Sequence, residues 1–339
     1  MPFANTRYVA ADGNDGNDGL TRETAWLTFA KGVADAPNDC EILHYADTHT
    51  LGANTVVFPA ADLRLFRAVE PVSIVFSGTQ AQPGITITAA TNQEVRGFRI
   101  ASTVAGRPEF HIAGAGNGLS FCRIEKRLQT GPAVLFEGPA SAAGCFLRYT
   151  LCETAGLGAS NYSGPVALGQ NMTSVEIDHC TLVDYGPGTN VLEGAAVFLN
   201  APAAGAVVTL KNSILASQGV TSKIINARAG WTTDFVLKYA GNNNVLSRHL
   251  GAGEIGRVDP GLYTTIVDWQ GFVAPDDAVS IDADPLWVDA GAGDYRLQAA
   301  SPAATLDDAG AAAGAFGVVP GAAPRRRPGV LNPLLGIGV

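Results

Sequence analysis

Residues 95–124 read VRGFRIASTVAGRPEFHIAGAGNGLSFCRI, and they decide the fold. A six-residue pattern, Φ-x-x-Φ-x-Φ with Φ pointing inward, occurs in them twice. Its first copy is Val95, Phe98, Ile100 and its second is Leu119, Cys122, Ile124. It returns as Leu147, Thr150, Cys152, as Ile177, Cys180, Leu182, and as Leu210, Ser213, Leu215. The copies start 24, 28, 30 and 33 residues apart. A near-regular period of this length marks a solenoid, in which each repeat buries its apolar side only against its neighbours. Between copies lies a second apolar pair: Phe110 with Ile112, Val134 with Phe136, Val166 with Leu168, Val197 with Leu199, and Ile224 with Ile225. Two or three short strands per repeat, with no helical stretch between, predict an all-β parallel β-helix. A leucine-rich or ankyrin array would need a helix or a fixed consensus in each unit.

Upstream, short β-branched runs at 42–45, 55–58, 63–66, 72–76 and 85–88 predict further strands. Trp26, Phe29, Ala30 and Val33 fall at helical spacing. They predict a helix over 25–36 that starts at Thr24, stops at Pro37 and covers the open strand edges of the first coil. Regularity fades over 230–271, which suggests long loops or an insertion, and resumes near Val279. The chain thus divides into an N-terminal loop and capping helix (1–36), a parallel β-helix (37–319) and an extended tail (320–339). The tail carries Arg325, Arg326 and Arg327, then Leu331, Leu334 and Leu335. It fits a segment that docks on another subunit or a particle, and equally a disordered terminus.

Charged residues make up only 16% of the 339, too few for a generally disordered chain that is 47% hydrophobic. The formal net charge of −9 argues against nucleic acid or an anionic membrane as the main partner. No run of 18 apolar residues predicts a membrane span. The N-terminus shows no charged segment followed by an apolar one, so export by a signal peptide is not expected. Three of the five cysteines, Cys122, Cys152 and Cys180, fall on inward positions and read as soft core side chains. Their spacing fits neither a zinc site nor a disulfide framework.

The register makes outward columns testable, because equivalent residues stack about 4.8 Å apart. One column is Arg99 and Arg123; another is Glu125 and Glu153. A third is Arg96, Ser120, Arg148, Asp178 and Lys211, and a fourth is Phe121, Tyr149, His179 and Asn212. Arg123, Glu125, Arg148, Tyr149, Glu153, Asp178 and His179 would then share a lateral strip, which Asp184 and Tyr185 extend. Three readings stand for it: ordinary cross-strand pairs and stacked rings, a glycan-binding strip with an aromatic ring beneath a sugar, or a general acid and base. No paired-carboxylate motif stands out in it. The loop bearing Asp12, Asp15 and Asp18 has spacing that could chelate calcium, but glycine-rich Asx turns explain it equally well. No other cofactor is expected.

Two segments resemble a known superfamily. YVAADGNDGNDGLTRETAWLTFAKGV (8–33) looks like the entry to right-handed parallel β-helix proteins of the pectate-lyase-like type. ADPLWVDAGAGDYRLQAASPA (283–303) resembles the last coil of many bacterial and phage β-helix proteins. The resemblance spans roughly 7–317. It implies the fold but not one function, since lyases, hydrolases, epimerases, adhesins and phage spikes share it. Lyases of this fold hold calcium on an acidic cluster beside a basic residue, and no such cluster is evident. A β-helix without an export signal fits a virion protein, made in the host cytoplasm and released by lysis. The leading expectation is therefore a tail or head spike of a phage-like particle. It would attach to other virion proteins through a terminus, engage cell-surface polysaccharide, and by resemblance trimerise. The alternatives are a polysaccharide lyase or glycoside hydrolase, and a bacterial surface adhesin.

Overall fold

A computed structural model describes residues 3–318, apart from 46, 52–54, 61, 77–82, 89–90, 103–107, 127–130, 139–142, 155–163, 170–171, 186–194, 201–205, 218–222, 229–234 and 249–253. The described residues form a parallel β-helix with three lateral sheets. Sheet 1 has nine strands, from Asn5–Val9 to Tyr239–Asn242. Sheet 2 has eight, from Asp47–Leu51 to Val245–Ser247. Sheet 3 has nine, from Val56–Val57 through Glu254–Val258, and ends on Gly261–Tyr263, which pairs antiparallel.

The six-residue pattern is the corner between sheets 1 and 2. Its first Φ ends a sheet-1 strand. The second x takes a positive φ: 82° at Gly97, 53° at Phe121, 49° at Tyr149, 52° at His179 and 53° at Asn212. That one left-handed residue turns the chain, which is why two outward positions follow each other before inward alternation resumes. The middle Φ then sits inside the corner. Where it is polar it works as a hydrogen-bond rung. Thr150 Oγ1 accepts the Cys122 amide at 3.3 Å, Ser213 Oγ the Cys180 amide at 3.0 Å, and Asn244 Oδ1 the Ser213 amide at 3.0 Å. Thr150 and Ser213 are therefore not failures of the apolar pattern; each satisfies a buried amide of the coil before it. All five cysteines are free and buried, and burial raises every thiol, that of Cys122 to about 12.

Both ends of the solenoid are closed by its own chain. The N-terminal helix α1 is shorter than its spacing predicts, running Phe29–Asp35 with Thr28 as N-cap, whose Oγ1 accepts the Lys31 amide. The preceding residues are drawn into the sheet instead. Trp26 bridges to Val9, and Asp15 accepts the Leu27 and Thr28 amides at 2.8 and 2.9 Å. At the far end, where the apolar pattern fades, Tyr239–Asn242, Val245–Ser247 and Glu254–Val258 each pair in parallel with the strand of the coil before. Gly241 and Asn244 stand in register with Leu210 and Ser213, so the apolar pattern fails there while the geometry holds. The Tyr239 ring fills the space a side chain at 241 would take, within 2.6 Å of such a Cβ. Helices α2 (Phe235–Lys238) and α3 (Ile266–Val273) then cap the core through Phe235, Tyr239 and Trp269.

Residues 281–318 do not make a last coil. They run back along the outside of sheet 2 as a strap that contains the antiparallel pair Trp287–Asp289 and Asp294–Leu297. Trp287, Tyr295, Leu297, Ala303 and Ala313 bury the outward side chains of Leu151, Val183, Ile214, Ala216 and Val245. The sheet-2 face there is apolar on both sides, as a doubly covered strand requires.

Near α1, the imidazole of His44 is fully buried among Phe29, Phe66, Phe98 and His49, and among the described residues no hydrogen-bond partner reaches either nitrogen. Burial first, then His49, holds its pKa well below the ordinary imidazole value. The folded chain keeps this ring neutral while the unfolded chain takes up a proton below about pH 6.5. Stability is thus undiminished above that pH and falls as the pH drops through it, with a slope approaching 1.4 kcal/mol per unit. Urea midpoints at pH 7 and pH 5 should converge in His44→Leu relative to the parent. An equal acid loss in both proteins would refute the assignment.

Candidate functional site

The predicted columns are present in register. Arg123 pairs with Arg99, Glu125 with Glu153, and Arg96, Ser120, Arg148, Asp178 and Lys211 follow one another across sheet 1. The nine strip residues nevertheless fall into two groups on either side of the corner.

On sheet 2, Arg123, Glu125, Glu153 and Tyr185 lie beside or beneath the strap, whereas Asp184, one residue after the outward Val183 and paired with Thr154, turns to the interior face and leaves the strip. Glu125 is 4% exposed and sits between two guanidiniums, Arg99 Nη2 at 3.0 Å and Arg123 Nε closer still. Burial pushes its carboxyl up, but the Arg99 hydrogen bond and the Arg123 charge outweigh this and hold it below the usual range. Glu153 is 8% exposed and shares a hydrogen bond with Tyr295 of the strap. Tyr295 Oη is 2.7 Å from Tyr185 Oη. Its pKa is driven well above the usual phenol range by burial, then by Tyr185 and Glu153. Asp184 is 2% exposed and accepts from Thr154 Oγ1 at 3.2 Å. A carboxylate locked by two arginines is a poor proton carrier, and neither glutamate is open to a polymeric substrate.

At the corner, Phe121, Tyr149 and His179 stack along the helix axis. The Phe121 and Tyr149 centroids are 4.8 Å apart at 6°, and those of Tyr149 and His179 4.7 Å at 19°. Phe121 and Tyr149 remain 49% and 38% exposed. The ring faces are thus taken by each other, and only ring edges look outward. His179 is clamped, with Nδ1 2.8 Å from Asp178 Oδ1 and Nε2 3.2 Å from Asp307 Oδ2. The imidazolium form satisfies both contacts at once, because each nitrogen then donates. Asn212 continues the clamp, donating to Asp178 Oδ1 and accepting the Asp308 amide. Arg148 bonds Glu176 through Nε at 2.8 Å, and Lys211 Nζ lies 3.5 Å from the same carboxylate. Most charges of the strip are therefore cross-strand or strap-holding pairs.

In the N-terminal loop, Asp12 pairs with Arg22, Asp15 accepts the Leu27 and Thr28 amides ahead of α1, and Asp18 accepts the Leu20 amide and the Thr24 hydroxyl. Each carboxyl group is engaged within the loop. No group of three or more acidic, His or Cys ligands is found among the described residues. A pocket of about 290 Å³ between α1 and the first strands is lined by Ala30, Val33, Leu51, Val56 and Val57, with no titratable side chain. Arg325, Arg326, Arg327, Leu331, Leu334 and Leu335 lie outside the described residues. No helix among the described residues is long and apolar enough to cross a membrane.

Tyr295 and Asp307, which complete the two groups, were not legible as site residues. They belong to no repeat, and their partners lie 110 and 128 residues away. Only the apolar outward residues Leu151, Val183 and Ile214, anomalous on a solvent face, signal that something covers sheet 2.

No family model matches the chain, and no curated protein does. Among solved structures it is similar to the pectate lyase Pel9A, with 12% identity over 94% of this chain and 98% of that one and a TM-score of 0.36. It is also similar to a rhamnogalacturonan lyase, with 15% identity over 76% and 78% of the two chains and a TM-score of 0.40. The strand ladders themselves define the class: a parallel β-helix protein with capped ends and a folded-back C-terminal strap.

Proposed function

We propose that this chain is a rigid β-helical rod that presents a lateral surface to polysaccharide without cleaving it, as a spike- or fibre-type component of a phage-like particle. The observation that carries the non-catalytic part is the state of the strip's acids. Glu125 is locked between arginines, Glu153 and Asp184 are buried, and Asp178 is tied to His179 and Asn212. The capped ends also favour a rod of fixed length over an open filament, since strand pairing between copies is blocked where α1 and α3 sit. In this proposal the tail around Arg325–Arg327 makes the particle contact, the rod assembles as a trimer, and the virion is its location. A lyase or hydrolase on the same fold is the competing outcome. Purified full-length chain is expected to retain a surface polysaccharide from a panel while producing no new reducing ends and no unsaturated products. Release of oligosaccharides would replace the reading with depolymerase. Failure to co-sediment with particles produced beside it would remove the virion assignment.

A further inference from the structure

Among the described residues at the corner, the half-exposed Arg96 differs from the arginines beside it. On sheet 1 and the adjoining edge of sheet 2, Arg67 pairs with Glu41, Arg99 and Arg123 with Glu125, and Arg148 with Glu176. Arg96 has no carboxylate within ion-pair distance among the described residues. Its guanidinium carbon lies over the Phe121 ring instead, 4.7 Å from the centroid. Position 97 explains the placement. It precedes Phe121 in the left-handed column and is glycine, at φ 82°, so the first ring of the stack has no side chain above it. Arg96, one residue earlier, fills that place.

We propose that Arg96 on Phe121 is an anion-reading site for a carboxylate- or sulfate-bearing saccharide chain lying along the corner; the proposal rests on the polysaccharide-engaging reading above. Three features converge on it. The aromatic faces are consumed by stacking at 4.7–4.8 Å and by Arg96 itself, so a neutral sugar finds no open ring to lie on. A guanidinium held over a ring can still offer its planar N–H fork to a two-oxygen acceptor, and Arg96 is half-exposed. Arg99, 57% exposed on the adjoining edge, adds positive charge although the chain as a whole is acidic. The strap ends the site on its other side: His179 and Asn212, further down the column, are already engaged by Asp307 and Asp308.

The test is affinity electrophoresis of the full chain in gels containing alginate, dextran sulfate or dextran, with Arg96→Gln and Arg96→Lys beside the parent. The parent should be retarded by an anionic polymer and not by dextran. Arg96→Gln should weaken that retardation about tenfold. Arg96→Lys, which keeps the charge but not the planar fork, should fall between, with unchanged thermal midpoints. Loss confined to alginate assigns a carboxylate, and loss with both anionic polymers assigns charge alone. Retardation by dextran equal to that by alginate, or an Arg96→Gln chain that binds as the parent does, overturns the site while leaving the polysaccharide reading intact. Retardation by none of the three overturns both.

Discussion

Asp277→Ala is expected to lower the unfolding free energy by about 4 kcal/mol, measured by urea denaturation. Asp277 is fully buried beneath the last coil, and its carboxyl group accepts four hydrogen bonds. They come from Tyr239 Oη at 2.6 Å, Trp269 Nε1 at 2.8 Å, Ser280 Oγ at 2.5 Å and Asn244 Nδ2 at 3.2 Å. Alanine removes the acceptor and leaves these donors in a dry site, each costing on the order of 1–3 kcal/mol, partly recovered by relaxation. Residue 277 also has φ 54°, where alanine is strained and asparagine is tolerated. Asp277→Asn should therefore lose less, since it keeps one acceptor and the backbone shape. A loss below 1 kcal/mol for the alanine variant would show that the cap is not coupled to the unfolding transition.

The second large effect belongs to the opposite end. Phe29→Ala should cost about 3–5 kcal/mol, because a fully buried phenylalanine leaves a cavity that only partly collapses. The Phe29 ring plugs the first coils, with centroids 5.4 Å from His44, 5.8 Å from Phe98 and 5.9 Å from Phe66. Its removal should show first as faster amide exchange in Cys40–His44 and only later in the central coils, as a nearest-neighbour solenoid requires. Leu27→Ala, two residues earlier and 40% exposed, should be close to neutral. Uniform acceleration of exchange along the whole rod would contradict the plug.

The contrast between what the sequence reveals and what it hides has a physical basis. The corner is legible because a left-handed residue between two inward positions forces one spacing on every coil. That spacing fixes the neighbours of Glu125, Arg148 and His179 within their sheets. The coil at 239–247 escapes because Gly241 lets Tyr239 fold in and Asn244 replaces an apolar rung with a hydrogen bond, so its contacts are native while its pattern is not. The start of α1 is misplaced because helical spacing at Trp26 competes with a strand bridge that only the distant Val9 reveals. The strap is hidden for the same reason: it pairs with sheet 2 through side chains, without any repeat of its own. Hence the columns of the strip were predictable, whereas which of its members face solvent was not.

The corner has one more consequence. Across five coils its spacing stays at six residues while the total repeat drifts from 24 to 33, so every insertion has accumulated at the other two corners. One edge of the rod is consequently a ruler. It carries a single interchangeable side chain per division, about 4.8 Å apart, on a backbone that does not alter with the chemistry written on it. Phe121, Tyr149, His179 and Asn212 share nearly the same φ, whether the side chain is a hydrocarbon ring, a phenol, an imidazole or an amide. A partner that binds along this edge can be re-specified by exchanging one residue at a time, whereas one that binds the loop-bearing corners would require a change in length.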